Sequence, residues 1–365
     1  MNCARLARPL AVLGTALALA ACARAIKSTL AAHAMTAPPA ATAVLSAASR
    51  TAAPAAVSYA ARADVQAFIT RVAREDGLDR VWLAKTLDSA KHEPSVLAAI
   101  ARPYEAKPWY QYKPIFVNSA RIAAGVAFWN AHAALLDAAR ERYGVSPAVI
   151  VAILGVESYY GRQKGGYSVL NALATLAFDY PPRSSFFKNE LAQYLLMCHA
   201  RGFDPAALTG SYAGAMGAPQ FMPDSYRQYA VTFDGQAPPD IWNDWADIIA
   251  SVANYFQAHG WQPDRLIAVP AAIPSVIAQV PATLTPTSVG ALRQAGVDTS
   301  QGLADDTPAV LVALTLEQGT EYWLGLHNFR VIMQYNASPL YAMAVTDLAA
   351  RISEARTAAA GDAAP

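Results

Sequence analysis

Residues 147–161 are the most restrictive stretch of the 365-residue chain. An almost unbroken apolar run from Pro147 to Val156 ends in one carboxylate, Glu157, followed by Ser158, Tyr159, Tyr160 and Gly161. Ser146 and Pro147 suit the N-cap and first position of a helix. Val149, Ile150, Ile153 and Leu154 share one helical face, which predicts a core helix. Gly161 is the expected stop. Glu157 then falls in the last turn, where the helix dipole disfavours an anion and apolar surroundings penalise the charged form. A carboxyl that stays protonated near neutral pH is what a general acid needs. A plain surface glutamate near a helix end fits the same stretch, so this run alone leaves both readings open.

The rest of the composition narrows the class. At 54% hydrophobic and 15% charged residues the chain is globular over most of its length. A formal charge of +1, without a dense basic run, excludes a nucleic-acid face. The N-terminus is a targeting segment: Arg5 and Arg8 precede an apolar run from Leu10 to Ala21, too short to span a bilayer. The run ends in Leu19-Ala20-Ala21-Cys22, which resembles the bacterial lipobox, so Cys22 is the expected lipidation site. By resemblance to Gram-negative lipoproteins, Ala23 after it implies the periplasmic face of the outer membrane. Cys3 leaves with the leader, and Cys198 is then alone in an apolar helical pattern, a buried core residue without a disulfide. No His/Cys spacing suggests a metal site.

Six segments follow from composition and periodicity. Residues 1–21 are the signal peptide and 22–60 an Ala/Thr/Pro-rich flexible tether. Residues 61–146 form an N-terminal helical subdomain. It has a break at Gly77, an irregular Glu105–Phe116 segment with Pro108 and Pro114, and one long helix from Ser119 to Gly144. Residues 147–261 with 326–355 make the main core, including two helices broken at Pro181-Pro182. Residues 262–325, with recurrent prolines and β-branched runs, predict a small β-containing insertion with a short helix near Val289 to Ala295. Residues 356–365 predict a loose Ala-rich tail. The fold class is mainly α, with this α+β element.

Separated stretches then match one family. They are Lys107–Tyr112, Phe128–Asn130, Gly155–Ser158, Leu170–Pro181, Gly210–Tyr226, Ser251–Trp261, Glu321–Phe329 and Gln334–Val345. In order and spacing they cover roughly residues 65–350, and the chain resembles the membrane-bound lytic murein transglycosylases of type B, glycoside hydrolase family 103. The resemblance implies a lysozyme-like α-rich catalytic core. It implies cleavage of the β-1,4 bond between N-acetylmuramic acid and N-acetylglucosamine in peptidoglycan, with formation of 1,6-anhydromuramyl ends. It also makes Glu157 the single catalytic acid and base. The substrate's 2-acetamido group would replace the second carboxylate that most glycosidases use. Asp224, the nearest other acid, is more simply a turn or cap residue.

Other roles carry over by position. Ser211 and Gln220 match the polar residues at the cleft, Tyr335 and Asn336 the Tyr-Asn pair that orients the acetamido group, and Met216 and Phe221 an apolar wall beside Glu157. Tyr112, Tyr255 and Tyr341 are further cleft candidates, and Trp109 and Tyr110 offer surfaces for sugars. Two departures stand out. The family's paired arginines after Tyr-Pro are here Pro182-Arg183, leaving Arg183 alone for the peptide or carboxylate part of the substrate. The family's EF-hand-like loop is here Thr232 to Asp240, where only Asp234 and Asp240 offer carboxylates. Calcium takes 6–8 oxygen ligands, so no cofactor and no tight calcium site are expected. Expected partners are glycan strands and, through Cys22, outer-membrane lipid; cell-wall synthesis or remodelling proteins are further candidates. A muramidase that uses water and a non-catalytic peptidoglycan-binding lipoprotein are the rival readings.

Overall fold

The computed structural model describes residues 58–101, 106–235, 238–274, 283–299 and 301–362. The predicted leader 1–21, the lipidation candidate Cys22, most of the tether and residues 363–365 lie outside these. Three helices open the described chain: α1 (Ala63–Asp76), α2 (Arg80–Ser89) and α3 (Pro94–Ile100). Gly77, with φ at 73°, separates the first two, a backbone state that residues with a Cβ disfavour. Asp79 accepts the Trp82 N–H at 2.7 Å and starts α2.

The next segment departs from the sequence expectation twice. Residues predicted as irregular form α4 (Trp109–Phe116), with Pro114 inside it. Proline removes one helical bond, but Trp109 and Tyr112 are drawn into the core at 2% and 1% exposure, and that burial holds the short helix. The predicted single helix is two, α5 (Ser119–Ala131) and α6 (Ala133–Tyr143), bent by 81° at His132. The His132 ring packs 4.5 Å from Phe128 and 5.3 Å from Trp245, a residue remote in sequence that no helical period encodes.

Helix α7 (Pro147–Ser158) is buried on every side, with Glu157 its only half-exposed residue. It packs against α5, α6 and the last helix, α14 (Pro339–Asp362). A helix apolar all round belongs in the middle of a fold, and truncating Ile153 or Leu154 to Ala costs about 2–5 kcal/mol. Around it stand α8 (Val169–Asp179), α9 (Ser184–Arg201), α10 (Pro223–Tyr229), α11 (Trp245–Ala258) and α13 (His327–Tyr335). A short ladder pairs β1 (Tyr167–Ser168) with β2 (Thr209–Gly210). One apolar cluster runs from Tyr59 to Ile352, so the helices before residue 146 share the core of α7.

The β-containing insertion is an antiparallel sheet in the order β3-β6-β5-β4, formed by β3 (Ala268–Ala271), β4 (Thr283–Ser288), β5 (Pro308–Thr315) and β6 (Thr320–Gly325). Alternation along β5 explains its place. Val310, Val312 and Leu314 join the main core, whereas Ala309 and Leu311 join a smaller cluster with Val289 and Leu292 of α12 (Val289–Gln294).

Both ends of the described chain differ from expectation. The tether expected over 22–60 gives way to structure before its end, since Tyr59–Ala61 form a 3-10 turn. Tyr59 is buried and its hydroxyl donates to Asp179 at 2.5 Å. Arg62 and His92 also bind Asp179, at 2.5 and 2.8 Å. In place of the loose tail expected from residue 356, α14 continues to Asp362. Alanine favours the helix, and Arg356 bonds Asn130 at 3.0 Å while lying 4.7 Å from the Trp129 ring.

Candidate active site

Helix α7 ends before the expected glycine. Tyr159 and Tyr160 take left-handed backbone, at φ 49° and 58°, and Gly161 follows at 78°. The Tyr160 N–H reaches back to the Leu154 carbonyl at 2.9 Å, closing the helix. Ser158, buried, accepts the Gly161 N–H at 2.9 Å. At the other end Ser146 is the N-cap residue, but its side chain makes no capping bond. Glu157 therefore sits in the last turn, immediately before a sharply fixed reversal.

Three tyrosines surround it. The Tyr341 hydroxyl, from the first turn of α14, donates to Glu157 Oε1 at 2.5 Å. Burial pushes the Tyr341 phenol well above its ordinary value, and the charge of Glu157 pushes the same way. Tyr341 thus stays protonated and acts as a fixed donor. Tyr335 is raised by burial and then by Glu157, and Tyr255 by burial, then by Tyr229 and then by Glu157. Their rings pack 4.7 Å apart, and the Phe221 ring lies 5.7 Å from Tyr255 and 5.9 Å from Tyr335. Glu157 is the acid whose charge all three phenols share.

The loop between β2 and α10 closes the group. Met216 and Phe221 exchange two backbone bonds, of 2.8 and 3.0 Å, and hold Gln220 between them. Gln220 is left-handed at φ 52°, and its amide nitrogen donates to the carbonyls of Gly217 at 2.7 Å and Lys164 at 3.1 Å. Its carboxamide oxygen is the group it can present to a ligand. The Tyr335 hydroxyl donates to the Pro219 carbonyl at 2.6 Å, tying the loop to α13. Ser211 Oγ accepts the N–H groups of Ala213 and Ala215 at 3.2 and 3.1 Å, so its own hydrogen is what remains for a ligand. The glycines here serve packing: a Cβ on Gly217 would strike the Ile241 carbonyl, and one on Gly214 would lie 2.5 Å from Leu173.

The structure joins Glu157, Tyr341, Tyr335, Tyr255 and Phe221, with Met216 and Gln220 bound to them through the loop. Asn336 follows Tyr335 at the end of α13, and its carbonyl accepts the Ser338 N–H at 2.7 Å. Tyr112 is buried and acts on the Tyr341 phenol. Arg183 is exposed, 4.3 Å from the Phe186 ring, and its contacts are with that ring and Phe187 rather than with the group around Glu157. Of the aromatics offered for sugars, Trp109 and Tyr112 are core residues, and Tyr110 is 38% exposed. Cys198 is buried and free, and burial pushes its thiol up to about 12.

Two residues emerge that the sequence reading did not single out. Glu190 of α9 is only 6% exposed and accepts the Asp224 N–H at 3.1 Å, at the start of α10. Burial pushes its carboxyl up to about 7. Its signal was legible: it lies on the apolar stripe of Phe187, Leu191 and Tyr194. Arg121, described below, had no local signal.

In and just after the loop that matches the family's EF-hand-like segment, three carboxylates, Asp240, Asp244 and Asp247, hold backbone. Asp247 accepts the Phe233 and Asp240 N–H groups at 2.8 and 3.0 Å. Asp240 accepts those of Trp242 and Asn243 at 2.8 and 3.0 Å. Asp244 accepts that of Ala246 at 2.8 Å at the start of α11. Gln236 and Ala237 lie outside the described residues.

Residues 60–350 match the family model described as Transglycosylase SLT domain. Over 312 residues the chain is 40% identical to membrane-bound lytic murein transglycosylase B of Escherichia coli K12, covering 82% of this chain and 85% of that one. Among solved structures, the catenated lytic transglycosylase SltB1 of Pseudomonas aeruginosa superposes with a TM-score of 0.77 at 45% identity, over 82% of this chain and 99% of its own. The Escherichia coli lytic transglycosylase Slt35 in complex with calcium gives 0.75 at 40% identity, over 82% and 95%.

Proposed function

Because the chain belongs to the transglycosylase SLT domain family, it is a lytic transglycosylase acting on peptidoglycan, and we propose that Glu157 alone carries both proton transfers of the cleavage. As acid, its carboxyl gives a proton to the glycosidic oxygen between N-acetylmuramic acid and N-acetylglucosamine, and the C1–oxygen bond breaks. The carbonyl oxygen of the muramyl 2-acetamido group covers C1 from the other side. The muramyl 6-hydroxyl then forms the new bond to C1, its proton passes to Glu157, and a 1,6-anhydro ring results. The observation that carries this reading is Glu157 held by the Tyr341 hydroxyl at 2.5 Å in a surround of phenols to which it is the common acid. A second carboxylate is not needed when the substrate supplies the nucleophile.

The remaining assignments belong to the same proposal. Gln220, through its carboxamide oxygen, and Ser211 bind the sugar near the scissile bond. Tyr335 and Asn336 orient the acetamido group, and Met216 and Phe221 wall the site. Arg183 meets a carboxylate further along the substrate. Lipidation at Cys22 anchors the enzyme at the periplasmic face of the outer membrane, a reading supported by the name of the membrane-bound relative. The loop from Thr232 to Asp240 holds no tight calcium.

Purified sacculi digested with the wild-type protein and with Glu157→Gln test the centre of this reading. Wild type should release products lighter by one water than hydrolysis products, and Glu157→Gln should release none while still binding sacculi. Reducing ends alone would make the enzyme a water-using muramidase. Equal release by both proteins would remove Glu157 from the mechanism.

A further inference from the structure

Arg121 is a half-buried cation with no acid at its side. It stands in the first turn of α5, where Asn118 Oδ1 accepts its backbone N–H at 3.0 Å. Its guanidinium lies 4.8 Å from the Tyr159 ring and 5.5 Å from that of Phe116. Its Nε is shielded from solvent and has no hydrogen-bond partner. Among the described residues no carboxylate pairs with it, and desolvation holds it below its ordinary value. Withdrawing a cation from water without a counter-charge is unfavourable, so the position calls for a reason.

The reason lies in what Arg121 grips. Its guanidinium donates to the carbonyl of Gly155, in the last turn of α7, where helical carbonyls lose their own partners. Its backbone carbonyl accepts the Tyr160 hydroxyl at 2.8 Å. Gly155 and Tyr160 bracket Glu157, so one residue binds both ends of the segment that carries the carboxylate. The Tyr160 hydroxyl sits in a notch between two helices. A Cβ on Gly125 of α5 would come 2.5 Å from it, and a Cβ on Gly155 of α7 would come 2.7 Å from it. Phe128 stacks on the Tyr160 ring at 5.5 Å. A cation at a helix C-terminus also suits the dipole there.

We propose that Arg121 is a positioning residue, a two-point clamp on residues 155–160 that sets the aim of the Glu157 carboxyl. The proposal rests on Glu157 being the acid and base. Helix ends fray, and proton transfer demands a carboxyl within hydrogen-bond reach of two successive oxygens. A displacement of 1 Å at a reacting group lowers the rate by ~100-fold. Arginine suits the task because its planar fork donates to a carbonyl while stacking on a ring.

The test measures kcat and KM on soluble uncrosslinked glycan strands for wild type, Arg121→Met, Arg121→Lys, Tyr160→Phe and Glu157→Gln, with thermal unfolding of each. Arg121→Met should lower kcat by ~30–100-fold with KM within about twofold. Arg121→Lys, which can still donate to Gly155, should regain part of that loss, and Tyr160→Phe should lower kcat by ~10-fold. If Arg121→Met fails to fold, a folded Tyr160→Phe with wild-type kcat overturns the clamp. So does a rise in KM with kcat intact, which would make Arg121 a ligand-binding cation. Wild-type kcat in Arg121→Met beside an inactive Glu157→Gln overturns the clamp and leaves the acid standing. An active Glu157→Gln removes the acid assignment and the clamp with it.

Discussion

Glu190 gives a quantitative test of how the loop between β2 and α10 is anchored. It is buried, it joins α9 to the N-terminus of α10, and burial raises its carboxyl from an ordinary 4.5 to about 7. The groups facing it are the Asp224 N–H, which opposes the rise, the Asp224 carboxylate, which adds to it, and Arg183, which opposes it. The sign follows from linkage. Below pH 4.5 the group is protonated both folded and unfolded, and its contribution to stability is whole. Between 4.5 and about 7 the unfolded chain gives up the proton while the folded one keeps it, so stability falls as pH rises. Above 7 the deficit is constant. At 1.36 kcal/mol per pH decade the interval amounts to ~3 kcal/mol.

Glu190→Gln removes the titration and keeps an acceptor for the Asp224 N–H. Any packing offset of the amide is independent of pH, so the useful quantity is the change in the difference between the two proteins. Urea unfolding at intervals from pH 4 to pH 8 should show the variant gaining ~3 kcal/mol on wild type across that range. In thermal scans the gain is roughly 6 °C at about 2 °C per kcal/mol for a chain of this size. Parallel stability curves would refute the reasoning, because they would mean that Glu190 ionises in the folded protein as it does in the unfolded one.

Three further outcomes are expected. Tyr341→Phe loses a charged hydrogen bond to Glu157, commonly ~1.5–3 kcal/mol, so kcat on glycan strands should fall by ~10–100-fold with the fold retained. Asp179→Asn should lower stability by ~1–3 kcal/mol at pH 7 in urea unfolding. Burial works against the Asp179 anion, but hydrogen bonds from Arg62, Tyr59 and His92 win and hold the carboxyl low. The stability it contributes is therefore present above the ordinary carboxylate range and lost as pH falls through its folded value, so the two proteins should converge in acid. Thermal midpoints should be the same with calcium and with chelator; a clear rise with calcium would show that the Thr232–Asp240 loop binds the ion.

The core helix was legible because burial on all sides leaves an apolar run, and the single carboxylate at its end stood out against it. Gly77 and the Pro181-Pro182 break were legible because backbone limits are local. The bend at His132 was not, since the apolar spacing of α5 and α6 runs on across it and the cause is a ring from α11. The Pro114 helix was hidden for the opposite reason: two local breakers are outweighed by the burial of Trp109 and Tyr112. Glu157 drew notice from its place at the end of the core helix, while Gln220, Tyr335 and Ser211 came only from the family resemblance. Arg121 was invisible because the groups it holds lie 34 and 39 residues away.

Backbone strain marks the same place by a separate route. Among the described residues four without glycine's freedom have left-handed backbone: Tyr159, Tyr160, Gln220 and Asp264. Each such residue costs ~1–2 kcal/mol, and three of the four belong to the segments that border Glu157. A glycine at 159 or 160 would relieve the strain and end the helix as well, but it would remove the ring beneath Arg121 or the hydroxyl that Arg121 accepts. Gln220 shows the same choice, since its left-handed turn lets one side-chain amide reach two carbonyls. Strain of this kind persists only where surrounding contacts over-determine it, and here they do: α7 is packed on all sides, Tyr160 is wedged between Gly125 and Gly155, and Met216 and Phe221 pin the loop by paired backbone bonds. The buried core thus fixes the geometry of a half-exposed carboxyl, which the two opposite proton transfers proposed for Glu157 require.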